Sequence, residues 1–160
     1  TNLIINEDTT AARILAVTSK VTTIINDPNV LVTVTYVSPG NYTVSLKYVS
    51  SNQEVSFGIT STFVFSQSLK DKTDIADVEK TITDYFLTNK LSVKDFNNNV
   101  KYNAFIQKTN YLNTNPNVIW TVKSVIHRPG NNPSTFEITL TKNTTKVTFV
   151  VSVNYVIKDK

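Results

Sequence analysis

Laid over itself so that Leu3 meets Leu91, the chain matches without a gap through its first third. Ile5 falls on Val93, Glu7 on Asp95, Lys20 on Lys108, and Pro28-Asn29-Val30 on Pro116-Asn117-Val118. Small loop differences then shift the alignment, and the match continues. Pro39-Gly40 answers Pro129-Gly130, Tyr42-Thr43-Val44-Ser45-Leu46 answers Phe136-Glu137-Ile138-Thr139-Leu140, and Val55-Ser56-Phe57 answers Val147-Thr148-Phe149. Self-similarity at a fixed period is the signature of repeated structural units. The chain of 160 residues therefore reads as two copies of one module, each of roughly 70 to 90 residues, near the size at which a single core is marginally sufficient.

Periodicity assigns the elements of each module. Ile14, Val17, Val21 and Ile24 recur at three- and four-residue steps within Asp8 to Asn26, which predicts an amphipathic helix with Asp8 as N-cap and Asp27-Pro28 as its stop. Val30/Val32/Val34/Tyr36, then Tyr42/Val44/Leu46/Tyr48, then Val55/Phe57/Ile59/Ser61/Phe63/Phe65 alternate with polar residues across short turns. That pattern predicts an antiparallel meander with one buried face. The second copy repeats it. A helix is predicted over Asp95 to Asn113, with strands carrying Val118/Trp120/Val122, Phe136/Ile138/Leu140 and Val147/Phe149/Val151/Val153/Tyr155/Ile157.

Between the copies, Ser66 to Lys72 is polar and reads as a linker. A further helix is predicted from Asp74 to about Thr88, with Ile75, Val78, Ile82 and Phe86 on one face and Asp74, Asp77 and Glu79 in its first turn. The fold class is thus α+β. Residues 1–70 form the first α-β-β-β module, and residues 71–160 a connecting helix with the second. Thr1 aligns with Asn89, just past the connecting helix. The helix is accordingly expected to touch both sheets and hold the modules in a fixed relation; the alternative is a longer repeat whose counterpart helix lies upstream. With no Met at position 1, Thr1 is expected to arise by processing or as a chosen chain start.

The side-chain inventory argues against catalysis. Cys and Met are absent, which removes a thiolate nucleophile and a cysteine-ligated metal. His127 is the single histidine, beside Arg128 and a Pro-Gly turn, and reads as an ordinary surface residue. Asp71, Asp74, Asp77, Glu79 and Asp84 read as a solvated helix start and not as a catalytic pair. Three glycines cannot supply a phosphate-cradling loop. No catalytic, cofactor-binding or metal-binding residue is expected, and no cofactor. Trp120 reads as core.

The net charge is +4, which raises nucleic acid as a partner. Lys142, Lys146, Lys158 and Lys160 are basic positions near the C-terminus, yet basic residues never run together and Arg occurs only at Arg13 and Arg128. Lysines guarding a strand edge account for the same residues, so no nucleic acid partner is expected. Asn41-Tyr42-Thr43 and Asn143-Thr144-Thr145 match the glycosylation acceptor pattern, as chance provides in a chain this rich in Asn and Thr.

Tandem modules of helix and short sheet, rich in Thr, Asn and Lys and free of Cys, look like surface proteins. The helix Asp77-Val78-Glu79-Lys80-Thr81-Ile82-Thr83-Asp84-Tyr85-Phe86, followed by Asp95-Phe96 and by alternating strands, resembles the spiralin-like lipoproteins of wall-less bacteria. The likeness is one of pattern. The lipidated cysteine of such proteins has no counterpart here, so any membrane association is expected through an anchor outside this chain. The resemblance implies a non-enzymatic structural or adhesion-type protein, extracellular or at the cell surface, with protein partners or self-association. Two other readings are a self-assembling subunit of an extracellular filament, sheath or virion, and a small ligand-binding module with a pocket between helix and sheet.

Overall fold

The computed structural model describes residues 2–158. The chain divides into two compact units, Thr1–Lys70 and Asp71–Lys160. The first contains β1 (Asn2–Ile5), α1 (Thr10–Ile25), β2 (Val30–Ser38), β3 (Asn41–Tyr48), β4 (Glu54–Thr60) and β5 (Thr62–Phe65). Helix α2 (Gln67–Thr88) spans the division. The second unit continues with β6 (Leu91–Val93), α3 (Asn98–Leu112), β7 (Ile119–Ile126), β8 (Ser134–Lys142), β9 (Thr145–Val153) and β10 (Tyr155–Ile157).

Both units carry the predicted antiparallel meander, β2-β3-β4 and β7-β8-β9, and their registers correspond pair for pair. Val32 faces Leu46 and Leu46 faces Val55, while Trp120 faces Leu140 and Leu140 faces Val147. A register shift between Tyr36 and Ser38 recurs between Ser124 and Ile126, so even the bulge is duplicated.

Each module also holds a parallel strand pair that periodicity alone did not reveal. The closing strand, expected to be continuous from Val55 to Phe65, breaks at Ser61, and its counterpart breaks at Asn154. Past the break, β5 pairs with β1 in parallel, Leu3 opposite Phe63, and β10 pairs with β6, Leu91 opposite Tyr155. Ser66 N–H donates to Ile5 O at 2.9 Å and Lys158 N–H to Val93 O at 2.7 Å, extending both pairs. Gly40 makes room at the first break. Its φ of 80° is left-handed, a Cβ there would stand 3.4 Å from Ser61 O, and its own carbonyl accepts Ser61 N–H at 2.8 Å.

Helix boundaries differ from expectation by local hydrogen-bond competition. Thr9, not Asp8, caps α1, accepting Ala12 N–H at 3.0 Å, because Asp8 is occupied by Arg13 at 2.8 Å. Asn97 caps α3 at 2.8 Å, so that helix starts after Asp95, whose carboxylate instead accepts Asn97 N–H. The segment Ser66 to Lys72 is not a linker. Ser66 Oγ accepts Leu69 N–H at 3.2 Å and opens α2 at Gln67, and the Lys, Asp and Gln that made the stretch look polar are tolerated in a helix. Asp74, Asp77 and Glu79 consequently lie beyond the first turn, which holds no acidic residue.

The inward rows face inward. Val34, Val44, Val118, Ile138, Leu140, Val151 and Tyr155 are buried, whereas Thr33, Thr35, Thr121 and Lys123 are exposed. The exceptions are Tyr36, Tyr48, Val55, Phe57 and Ile157, which are exposed. Ile75, Val78, Ile82 and Phe86 belong to the second unit's core with Phe105, Phe136 and Ile138. Phe105 stacks on Phe136, centroids 4.0 Å apart and planes 8° from parallel, and Phe86 lies 5.3 Å from Phe105. The first unit's core is smaller, built on Val17, Val34, Tyr42 and Val44.

Among the described residues, two buried hydroxyls have no hydrogen-bond partner, Tyr42 Oη and Thr109 Oγ1. At each position the other unit carries the apolar counterpart, Phe136 for Tyr42 and Val21 for Thr109. A buried donor left unsatisfied forfeits its hydration for nothing. Tyr42→Phe and Thr109→Val are therefore each expected to stabilise the chain by about 1 kcal/mol, measured by urea unfolding; a loss of stability in both would show that the hydroxyls are solvated.

Candidate protein-binding groove

Three strands about 4.8 Å apart make a sheet wider than a single helix of about 10 Å diameter can cover. In the second unit two helices share the apolar face of the meander, α3 and α2. In the first unit α1 packs on β2, and no second helix joins its core cluster. The difference shows at equivalent positions. Leu140 is fully buried while Leu46 is half-buried; Val151 is 5% exposed while Ile59 is half-buried. Val55, on the same row as Phe57, is 61% exposed, whereas Val147 packs against the core.

The uncovered strip is a groove between α1 and β4. Its central part is a cleft of about 310 Å³ lined by Val17, Val21, Ile24, Phe57 and Ile59. A second cleft of about 540 Å³ follows towards the β3–β4 turn, lined by Ile25, Leu46, Tyr48, Glu54 and Val55. Ile25 lines both. On the opposite side of α1, Ile4 and Leu15 are 68% and 66% exposed beside a further cleft with Ala12 and Ala16. The second unit places Ser92 and Asn103 at those two positions. Among the described residues, then, the first unit has an apolar surface where the second is polar or covered. The repeat alignment contained this signal, in the substitutions Ile4/Ser92 and Leu15/Asn103 and in helix α2 with no aligned counterpart.

The residues weighed from sequence fall elsewhere. Asp71 is buried, with Lys142 Nζ 3.8 Å from it, and Asp74, which is partly exposed, is hydrogen-bonded by the same lysine. Asn143 donates to Asp71 at 2.9 Å. The bond to Asp74 raises the Lys142 pKa. These contacts tie α2 to the β8–β9 turn. Asp77 and Asp84 are exposed, and Asp84 pairs with Lys80 at 2.6 Å. Lys146 and Lys158 are exposed, and Lys160 lies outside the described residues. Asn41 and Asn143, the acceptor-pattern asparagines, engage Ser38 and Asp71 through their amides. Trp120 is half-buried against the second core.

His127 is not an ordinary surface residue. Half-buried, it holds Ser124 Oγ at 2.8 Å through Nε2 and Ser134 Oγ at 3.3 Å through Nδ1, edge-on to Phe136. Both ring nitrogens are engaged by hydroxyls and neither by a carboxylate, and Ser134 is fully buried. The arrangement braces the β7–β8 connection and lacks the oriented base that activates a serine. Among the described residues no group of three or more His, Cys, Asp or Glu side chains could hold a metal ion, and no helix is long and apolar enough to cross a membrane. No family model, curated protein or solved structure matches the chain.

One feature common to both modules escaped the pattern reading. Arg13 and Lys101 occupy the same helix position, and each lies over the ring of the residue paired with Leu3 or Leu91 past the strand break: Arg13 5.5 Å from Phe63, Lys101 5.2 Å from Tyr155. Arg13 has Asp8 as counter-ion, but Phe96 replaces that aspartate in the second unit. Lys101 is left fully buried among Phe96 and Tyr155, with Nζ donating to Arg128 O at 2.8 Å. Tyr155 Oη donates to Lys101 O at 3.1 Å. Desolvation lowers the Lys101 pKa from 10.5 and raises that of Tyr155.

Between the lowered folded value and 10.5 the unfolded chain binds more protons at this lysine than the folded chain. Stability therefore rises with pH across that window. The expected outcome is that the stability of the native chain relative to Lys101→Met increases as pH approaches 10, by denaturant titration at successive pH values. A difference independent of pH would show that Lys101 is not desolvated in the fold.

Proposed function

We propose that the chain is a non-enzymatic surface protein of structural or adhesion type, whose first unit contacts protein partners. The observation that carries the reading is the asymmetry between two otherwise matching units. Where Ser92 and Asn103 are polar, Ile4 and Leu15 are apolar and exposed. Exposed contiguous apolar surface is costly in water and marks interaction sites. The composition and the resemblance drawn from the second unit's helix support a location outside the cell or at its surface, and the scattered basic residues favour protein over nucleic acid as the partner.

The rival reading, a self-assembling subunit, draws on the sheet edges β2, β4, β7 and β9, each of which has one neighbouring strand among the described residues. Light scattering across a wide concentration range separates the two. A monomer at every concentration, losing partner adhesion on Ile4→Asp with Leu15→Asp, is the expected result. Multimers growing with concentration would transfer the conclusion to the filament subunit, and a small-molecule-dependent rise in melting temperature to the ligand-binding module.

A further inference from the structure

The contacts that tie α2 to the β8–β9 turn also bring together the groups of a reaction. Lys142 Nζ hydrogen-bonds Asp74 Oδ2, and Asp71 Oδ1 stands 3.8 Å from the same nitrogen. The other oxygen of Asp71 accepts a hydrogen bond from Asn143 Nδ2 at 2.9 Å, which orients the carboxylate towards the lysine. Most of the site is withdrawn from water: the Asp71 side chain is 4% exposed and that of Lys142 17%. Asp74 is more open, at 35%. The fold does not require this cluster. In the first unit Tyr48 and Val49 stand at the positions of Lys142 and Asn143, and the same meander forms without them.

A lysine hydrogen-bonded to a carboxylate oxygen is at near-attack range of the carboxyl carbon, where reacting atoms lie about 3–3.5 Å apart. Two conditions keep ordinary ion pairs from becoming amides: the amine is protonated, and bulk water favours hydrolysis. Here the carboxylates hold Lys142 as the ammonium, its pKa raised first by the hydrogen bond to Asp74. Attack by Nζ therefore requires a base already in place. Asp71 is positioned as that base, at a distance that a small side-chain rotation closes to a hydrogen bond. Burial acts on the second condition. Two carboxylates and an ammonium are costly to desolvate, an amide is neutral, and reactants held together have an effective concentration far above that of free groups.

We propose that Lys142 and Asp74 condense into an intramolecular amide, a covalent staple between α2 and the β8–β9 turn, with Asp71 as the catalytic proton carrier. The Nζ–Cγ bond forms and one Cγ–Oδ bond of Asp74 breaks. Of the three ammonium protons, one stays on the amide nitrogen. Asp71 passes the other two to the departing oxygen, which leaves as water through the open side of Asp74. An ammonium and a carboxylate thus become a neutral amide and water, nothing is oxidised or reduced, and Asp71 ends as it began. The product closes a loop from residue 74 to residue 142 in a chain without cysteine, and restricts the unfolded chain as a disulfide would. The staple belongs to the second unit alone and is independent of what the first unit contacts.

Intact mass spectrometry of the purified full chain, followed by protease mapping, is the test. The native chain is expected to be lighter than its sequence by one water, with a branched peptide joining the segments that carry Lys142 and Asp74. Lys142→Arg keeps the positive charge but offers a far weaker nucleophile, and should show the full sequence mass. Asp71→Asn keeps the size of the side chain and loses the base, so conversion should slow by at least about a hundredfold, with circular dichroism confirming the fold. The native chain should also melt about 10 °C above Lys142→Arg.

A native chain at its full sequence mass would overturn the proposal. So would a water lost without a branched peptide, which signals an aspartate closing onto its own backbone, or undiminished conversion in Asp71→Asn. Should the variants not fold, the mass and the peptide map of the native chain decide alone.

Discussion

A three-stranded meander with one apolar face is wider than the helix that its own module lays on it, and this mismatch governs the structure. One helix covers two strands well and leaves the third wet. The second unit resolves the mismatch with α2, whose four apolar side chains join the stacked Phe105 and Phe136 in one core. Burial of that order is worth about 1.5–3 kcal/mol per large side chain, so the helix is integral to the unit. The Asp71, Asp74, Lys142 and Asn143 contacts then set where along the sheet it starts. The first unit has the same registers, the same bulge and the same parallel strand pair, and its β4 row stays in contact with water.

Much of this architecture was legible in the residues. The internal match fixed the number of units, and period-two alternation identified both meanders and their inward rows, since a slip of one residue would have turned Thr33 and Thr121 inwards. Three features were not legible. The short strands β1 and β6 are three or four residues long and pair in parallel with partners distant in sequence; no local period marks such a pair. The helical nature of Ser66 to Lys72 was hidden by polar residues on the exposed turns of α2. The allegiance of Ile75, Val78, Ile82 and Phe86 was also hidden, because periodicity shows that a face is apolar without showing what it faces.

The groove was half legible. Its lining was identified as core, and correctly so in the second unit. That the same positions become surface in the first follows from comparing the copies element by element, where Phe57, Ile59 and Leu46 retain apolar side chains without the helix that covers their counterparts. The same comparison isolates Lys101, whose aspartate partner in the first unit has become Phe96. Duplication thus supplies an internal control: shared residues report what the fold needs, and unshared ones report what each unit does with it.

Native-state hydrogen exchange tests the central claim directly, that a second covering helix separates the two units energetically. The β8 and β9 amides, beneath α2 and α3, should exchange far more slowly than the matching amides of β3 and β4, with the largest difference between Val150-Val151 and Gly58-Ile59. Equal protection at these paired positions, or slower exchange in β4 than in β9, would contradict the account.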